Sequence, residues 1–164
     1  MRKKIIAASS IALLTIAIYE GYSERAYNCP AGIPTIGYGT THYEDGTPVH
    51  IEDRITHDRA VMLLRKDAER VSRDISACIG DVPLHQHEFD AFVSLAYNIG
   101  SDRFCRSSLL KRLKTNPPDY AGACREILRW DRAAGMRLSG LTKRRQAEYQ
   151  MCIGAKDATT NNTK

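Results

Sequence analysis

The chain has 164 residues, 43% of them hydrophobic and 26% charged, enough for one domain with a true core or for two small lobes sharing a helix. Lys and Arg outnumber Asp and Glu by 24 to 19, and a net charge of +5 suits an acidic surface such as nucleic acid, anionic lipid or a bacterial wall polymer. Nucleic acid is not the expected partner, because the chain carries no zinc-finger spacing, no ribonucleoprotein motif and no basic stripe interleaved with aromatics.

At the N-terminus Arg2, Lys3 and Lys4 precede fifteen uncharged residues, Ile5 to Tyr19. Fifteen residues of helix span roughly 22 Å, short of a hydrocarbon core of roughly 30 Å. Ala7, Ala8, Ser9, Ser10 and Thr15 dilute the run further, so its hold on lipid is weak. Three readings stand: a retained export anchor, a buried helix of the domain, or a cleaved signal peptide. The residues from Tyr19 to Arg25 offer no small-residue cleavage site.

From Tyr22 to Gly46 the chain is rich in Gly, Pro, Tyr and Thr, and Thr35 to Gly39 reads as a short strand of a small hairpin. Thr56 then caps a long helix with Asp58 in its first turn. Leu64, Ala68, Val71, Ile75 and Cys78 form its apolar stripe, and Gly80 ends it. A second helix follows Pro83, with Phe89, Phe92, Val93, Ala96 and Ile99 inward and Asn98 and Gly100 at its end. Shorter helices are expected over Ser107 to Leu113, Tyr120 to Trp130 and Thr142 to Cys152, and a disordered polar tail over residues 155–164. The fold class is α+β and mainly helical, a small β-hairpin lobe and a larger helical lobe joined by the long helix.

Five cysteines, Cys29, Cys78, Cys105, Cys124 and Cys152, contain no C-x-x-C pair, so no structural zinc site is expected. Their odd number suggests two disulfides and one free thiol in an oxidising compartment. His85 and His87 lie two apart, not at the i, i+4 spacing of a helical metal pair. They read as surface residues, as do His42, His50 and His57, and no metal or cofactor is called for.

Between the apolar run and the hairpin lie Glu20, eight intervening residues, Cys29, five more, and Thr35, followed by Gly37-Tyr38-Gly39. This spacing closely resembles that of the phage lysozymes of glycoside hydrolase family 24, which carry Glu, then Asp or Cys, then Thr. Further matches follow in order: Gln86 to Gly100, Ser107 to Leu110, Leu128 to Trp130, and Gly140 to Glu148. The similarity covers roughly residues 13 to 153.

The resemblance implies a lysozyme-like fold, with residues 20–154 as the lysozyme domain. It also implies a muramidase that hydrolyses the β-1,4 bond between N-acetylmuramic acid and N-acetylglucosamine in peptidoglycan and lyses the host after phage infection. Such cleavage needs a proton donor for the leaving oxygen and a nucleophile at the anomeric carbon. Glu20 fits the donor, because a helix C-terminus and a cleft both disfavour an ionised carboxylate. By resemblance Arg144 orients this acid, and Tyr97 and Ser108 match positions that touch the glycan, with roles as a core aromatic and a helix cap equally open.

Cys29 stands where most relatives have Asp. A free thiol titrates near ~8.5, leaving little thiolate at neutral pH. Cys29 therefore acts as a base, as a nucleophile, or, as we favour, by placing water together with Thr35. With Cys29 free, the expected pairs are Cys78–Cys105 and Cys124–Cys152, although four cysteines permit three pairings.

Because cleavage would discard Glu20, the retained anchor is favoured, and the N-terminus resembles that of signal-arrest-release endolysins. Residues 1–19 would sit in the host inner membrane with the N-terminus cytoplasmic and the domain periplasmic. On release they would become the first helix of a monomeric periplasmic enzyme. Two rival readings are a wall-binding protein with a dead lysozyme fold and a lytic transglycosylase, which would yield anhydro-sugars.

Overall fold

The structure, a computed structural model, describes residues 1–29 and 31–155. The polar tail beyond Ala155 lies outside the described residues.

Residues Met1 to Ser9 are not helical but run as an extended strap against residues 84–90. Lys3 bridges to Leu84 through paired backbone hydrogen bonds of 2.9 and 2.8 Å, and Arg2 lies 2.8 Å from the Glu88 carboxylate. Helix α1, Ser10–Glu20, begins where Ser9 accepts a hydrogen bond from the Ile11 amide. The apolar run is thus split at Ser9, whose own amide donates to buried Asp90 at 2.8 Å, so that one residue caps the helix and pins its start.

Strands β1, Ser23–Asn28, and β2, Pro34–Gly37, form the antiparallel hairpin, with Tyr27 opposite Thr35 and an irregularity between Ser23 and Tyr27. The second strand begins one residue earlier and stops two sooner than its apolar pattern predicts. Gly37 has φ +62, and there Ile36 and Thr40 close a tight turn on each other's backbone.

Helix α2, His57–Ile79, is capped by the Thr56 hydroxyl on the Arg59 amide and closed by Gly80. It belongs to both cores. Ala60 and Leu63 pack with Ile36, Val49 and Ile55 beneath the hairpin, whereas Leu64, Ala68, Val71, Ile75 and Ile79 face the larger helical lobe. The linking helix therefore gives each lobe a few turns of its apolar face.

Helix α3, Gln86–Ile99, is the axis of the large lobe, and every residue from Glu88 to Ala96 is buried. Around it stand α1, α2 and short helices α4, Ser101–Cys105, α5, Ser108–Leu113, and α6, Tyr120–Glu126, with α7, Ser139–Cys152, alongside. The helix expected up to Trp130 leaves α geometry at Glu126 and tightens to a 3-10 turn over Ile127–Arg129. Two more differences come from local chemistry. A small hairpin, β3 Arg132–Ala133 and β4 Met136–Arg137, folds about Ala134 and Gly135, both at positive φ, and α7 starts at Ser139 rather than Thr142. Cys78 is bonded to Cys105 and Cys124 to Cys152, tying α2 to α4 and α6 to α7, while Cys29 is free.

Candidate active site

Glu20 is the last residue of α1. Gly21, at φ +71, closes the helix by donating its amide to the Ala17 carbonyl, and the chain then turns into the hairpin. One carboxylate oxygen, Oε1, takes a 2.8 Å hydrogen bond from Arg144 Nη1. The other, Oε2, lies against Gly39, where a Cβ would come within 3.4 Å of it. Gly39 sits at φ +93, so glycine serves both the turn and the close approach. The Glu20 side chain is 21% exposed and Arg144 only 5%.

Arg144 is itself held from behind. Its Nε donates to Glu148 Oε1 at 3.1 Å, one helical turn on, and its guanidinium lies 5.4 Å from the centre of the Tyr19 ring. Ser94 of α3 donates to the same Glu148 oxygen at 2.7 Å, and Arg145 Nε lies 3.0 Å from Oε2. Burial pushes the Glu148 carboxyl upward, while the two guanidiniums and the Ser94 hydroxyl pull it back toward the charged form. A second anchor, Arg145 Nη2 to Asn98 Oδ1 at 3.0 Å, fixes Arg145 to α3.

Cys29 and Thr35 belong to the hairpin end. Cys29 follows β1, donates its amide to Ile33 at 3.0 Å and accepts from the Gly32 amide at 2.7 Å. The thiol is half-buried. The Ile33 and Ala31 backbone amides, and then the Thr35 hydroxyl, favour the thiolate and hold its pKa below the usual thiol value, with partial desolvation opposing them. Thr35 is buried in β2 and its hydroxyl donates to the Ile33 carbonyl at 2.9 Å. That hydroxyl has one proton, so it can serve Ile33 or the Cys29 sulfur but not both at once.

A groove of about 900 Å³ runs between the hairpin lobe and α2. Gly39, against which Glu20 Oε2 lies, and Tyr97 line it, with Lys66, Asp67 and Arg70 on its α2 wall, whereas Glu20, Cys29 and Thr35 are not among its lining residues. Tyr97 donates its hydroxyl to the Tyr38 carbonyl at 3.1 Å, and burial raises its phenol pKa, keeping it neutral. Ser108 does not line this groove; it sits at the start of α5 and donates to the buried Glu126 carboxylate. His57 lies within 3.0 Å of the Tyr38 hydroxyl, and His87 within 3.1 Å of the Cys152 carbonyl. Among the described residues, no group of three or more His, Cys, Asp or Glu side chains could hold a metal ion.

Two members of this arrangement lie in segments that resemble the family but carry no role of their own in the sequence. Glu148 reads as an ordinary helical carboxylate four residues after Arg144, and Ser94 as one polar residue in an apolar helix. Only the packing of α7 against α3 brings them together.

The phage lysozyme family profile matches residues 17–148. An endolysin of Acyrthosiphon pisum secondary endosymbiont phage 1 is 44% identical over 140 residues, covering 83% of this chain and 90% of that protein. A SAR-endolysin of Enterobacteria phage P21 is 31% identical over 164 residues, covering 93% and 95%. Among solved structures, an endolysin from Escherichia coli O157:H7 phage FAHEc1 superposes with a TM-score of 0.82 at 33% identity, covering 94% of this chain and 98% of that one. With the fold, the profile and the relatives in agreement over most of its length, the chain belongs to the phage lysozyme family.

Proposed function

We propose that this glycoside hydrolase cleaves the β-1,4 bond of peptidoglycan with Glu20 as proton donor and with Cys29 and Thr35 acting on the attacking water. The observation that carries the reading is the fixing of the Glu20 carboxyl between Arg144 and the backbone of Gly39, a residue of the groove wall. A carboxyl held there by one oxygen can present the other to a glycosidic oxygen. The bond between the anomeric carbon and the leaving oxygen breaks as that oxygen takes the Glu20 proton. Water placed by Thr35 and Cys29 adds to the anomeric carbon and gives up its proton to solvent, from which Glu20 is reprotonated. Tyr97, in the groove wall, is a glycan contact, whereas the Ser108 hydroxyl is committed to Glu126.

Residues 1–19 act as a signal-arrest-release segment, held in the host inner membrane with the N-terminus cytoplasmic and the domain periplasmic. The protein is a monomer, and release from the bilayer completes the site by folding residues 10–20 as α1. Support comes from the SAR-endolysins among the relatives and from the outward Ile11, Leu14 and Ile18 of α1, apolar side chains that are mostly exposed in the folded domain. Among the described residues no helix is long and apolar enough to cross a membrane, in keeping with a weak hold on lipid.

Digestion of purified peptidoglycan followed by mass analysis tests the chemistry. Reducing-end products and a loss of about 10²–10⁴-fold in rate for Glu20→Gln are expected. Anhydro-sugar products, or clearing by Glu20→Gln at the native rate, would overturn it. Alkylation of Cys29 with iodoacetamide should abolish activity, and a fully alkylated, fully active enzyme would remove Cys29 from the mechanism. For the anchor, wall degradation by the membrane-held form at the released enzyme's rate would refute control by release.

A further inference from the structure

The catalytic reading leaves four charged side chains in one chain of contact: Glu20, Arg144, Glu148 and Arg145. Glu148 is fully buried, Arg145 is 1% exposed and Arg144 is 5% exposed, so neither water nor salt screens them well. While Glu20 is protonated, two guanidiniums face the single Glu148 carboxylate. Once Glu20 ionises the charges balance, and the balanced state is the wrong one for a proton donor. The arrangement therefore pulls against the acid, and Glu148 is what limits that pull.

We infer that Glu148 is a positioning residue for the acid: it grips Arg144 from behind and supplies the buried negative charge that offsets Arg145, so that Glu20 faces a cluster with one net positive charge rather than two. The inference rests on Glu20 being the donor. Three observations bear it. Arg144 uses different edges for the two carboxylates, Nη1 toward Glu20 and Nε toward Glu148, so one guanidinium bridges them. Ser94 fixes Glu148 from α3, independently of α7, which makes the carboxylate's place a property of the helix packing. Arg145 is tied to Asn98 as well, so it remains beside the site whether or not Glu148 is charged.

The other groups facing this cluster do not supply the same charge. Tyr97 from α3 is neutral and Tyr19 from α1 offers only its ring face to Arg144. Asp67 and Arg70 from α2 act on Tyr97 with opposite signs.

The sign follows directly. Replacing Glu148 by Gln leaves Arg144 and Arg145 uncompensated, which favours ionised Glu20 and moves the alkaline limb of the pH–rate profile to lower pH. A shift of about one pH unit is expected from the loss of one buried charge acting through Arg144. Arg145→Gln changes the balance the other way and should move the same limb to higher pH. It leaves Glu148 paired with Arg144 and Ser94, so it keeps the idea testable if Glu148→Gln fails to fold.

The experiment is kcat against pH on purified peptidoglycan for both variants, with the Glu20 carboxyl followed by 13C NMR in the intact protein. Opposite displacements of the alkaline limb, matched by the Glu20 resonance, are the expected result. An unmoved limb and unmoved resonance in either folded variant, or displacement of both variants in one direction, would overturn the inference. Glu20→Gln assayed alongside separates the two claims. Activity in that variant would sink the donor reading, whereas an inactive Glu20→Gln with an unmoved Arg145→Gln limb would sink only the role of Glu148.

Discussion

Ile16 and Leu14 are two residues apart on α1, and the fold treats them in opposite ways. Ile16 has no exposed surface and packs in the larger core, whereas Leu14 is 64% exposed. Ile16→Ala removes three carbons from a closed environment. At about 0.8 kcal/mol per methylene-sized group, plus the energy of an unfilled cavity, the loss is about 3–4 kcal/mol. Leu14→Ala leaves the folded state within about 0.5 kcal/mol. In a bilayer the distinction vanishes, since both side chains face hydrocarbon and both truncations weaken the hold by similar amounts. Urea denaturation of the released protein, hydrogen exchange of the α1 amides and membrane retention before release can be measured on the same pair. Ile16→Ala should lose stability and α1 protection and, since α1 carries Glu20 at its end, turnover as well. Leu14→Ala should keep all three and match Ile16→Ala only in faster escape from the membrane. Equal stabilities of the two variants would refute the docking of α1 through Ile16. Unequal retention would refute the claim that the bilayer sees them alike.

Two further outcomes follow from contacts outside the catalytic set. The Ser108 hydroxyl is the largest influence holding the Glu126 carboxyl below its ordinary value, with Arg112 and Arg129 adding to it. A depressed carboxyl stabilises the fold above the unfolded value near 4.5 and loses that contribution as pH falls through its folded value. Ser108→Ala should therefore lose about 1–3 kcal/mol at pH 7, with the gap closing in acid, by thermal melts across pH. A raised KM at unchanged stability would instead mark Ser108 as a glycan contact. The Cys124–Cys152 bond closes a 28-residue separation, for which the chain-entropy argument gives about 3.5 kcal/mol. Its double Ser variant should unfold at correspondingly lower urea, and a loss below about 1 kcal/mol would refute that figure.

The parts of the fold legible from the sequence are those specified by neighbouring residues. Thr56, the stripe from Leu64 to Cys78, and Gly80 describe α2 because cap, face and stop all lie within one helix. The spacing of Glu20, Cys29 and Thr35 is likewise carried by one continuous segment, and the structure puts those residues at the end of α1, the hairpin turn and β2. What could not be read locally depends on distant partners. Ser9 interrupts an apolar run only because Asp90, on α3, is there to bind its amide and hydroxyl. Glu148 becomes part of the site only because Ser94 meets it across the α3–α7 packing.

The N-terminal strap is the case where local pattern and tertiary use diverge most, and the divergence has a physical basis. Arg2, Lys3 and Lys4 read as the basic start of an export segment. In the folded domain Arg2 meets Glu88 and stacks 3.7 Å from the centre of the Tyr120 ring, and Lys4 meets Asp81. Glu88 is buried in the first turn of α3, where its carboxylate also accepts the His85 amide at 2.8 Å and has little access to water. Without Arg2 it would retain the His85 amide, and Asp90 without Ser9 would lose two donors. A domain whose first twenty residues were elsewhere would thus leave the Glu88 and Asp90 carboxylates of α3 without these partners. The basic residues that read as an export start are thus used in the folded domain as ion-pair partners, Arg2 for Glu88 and Lys4 for Asp81, ahead of the weakly apolar α1.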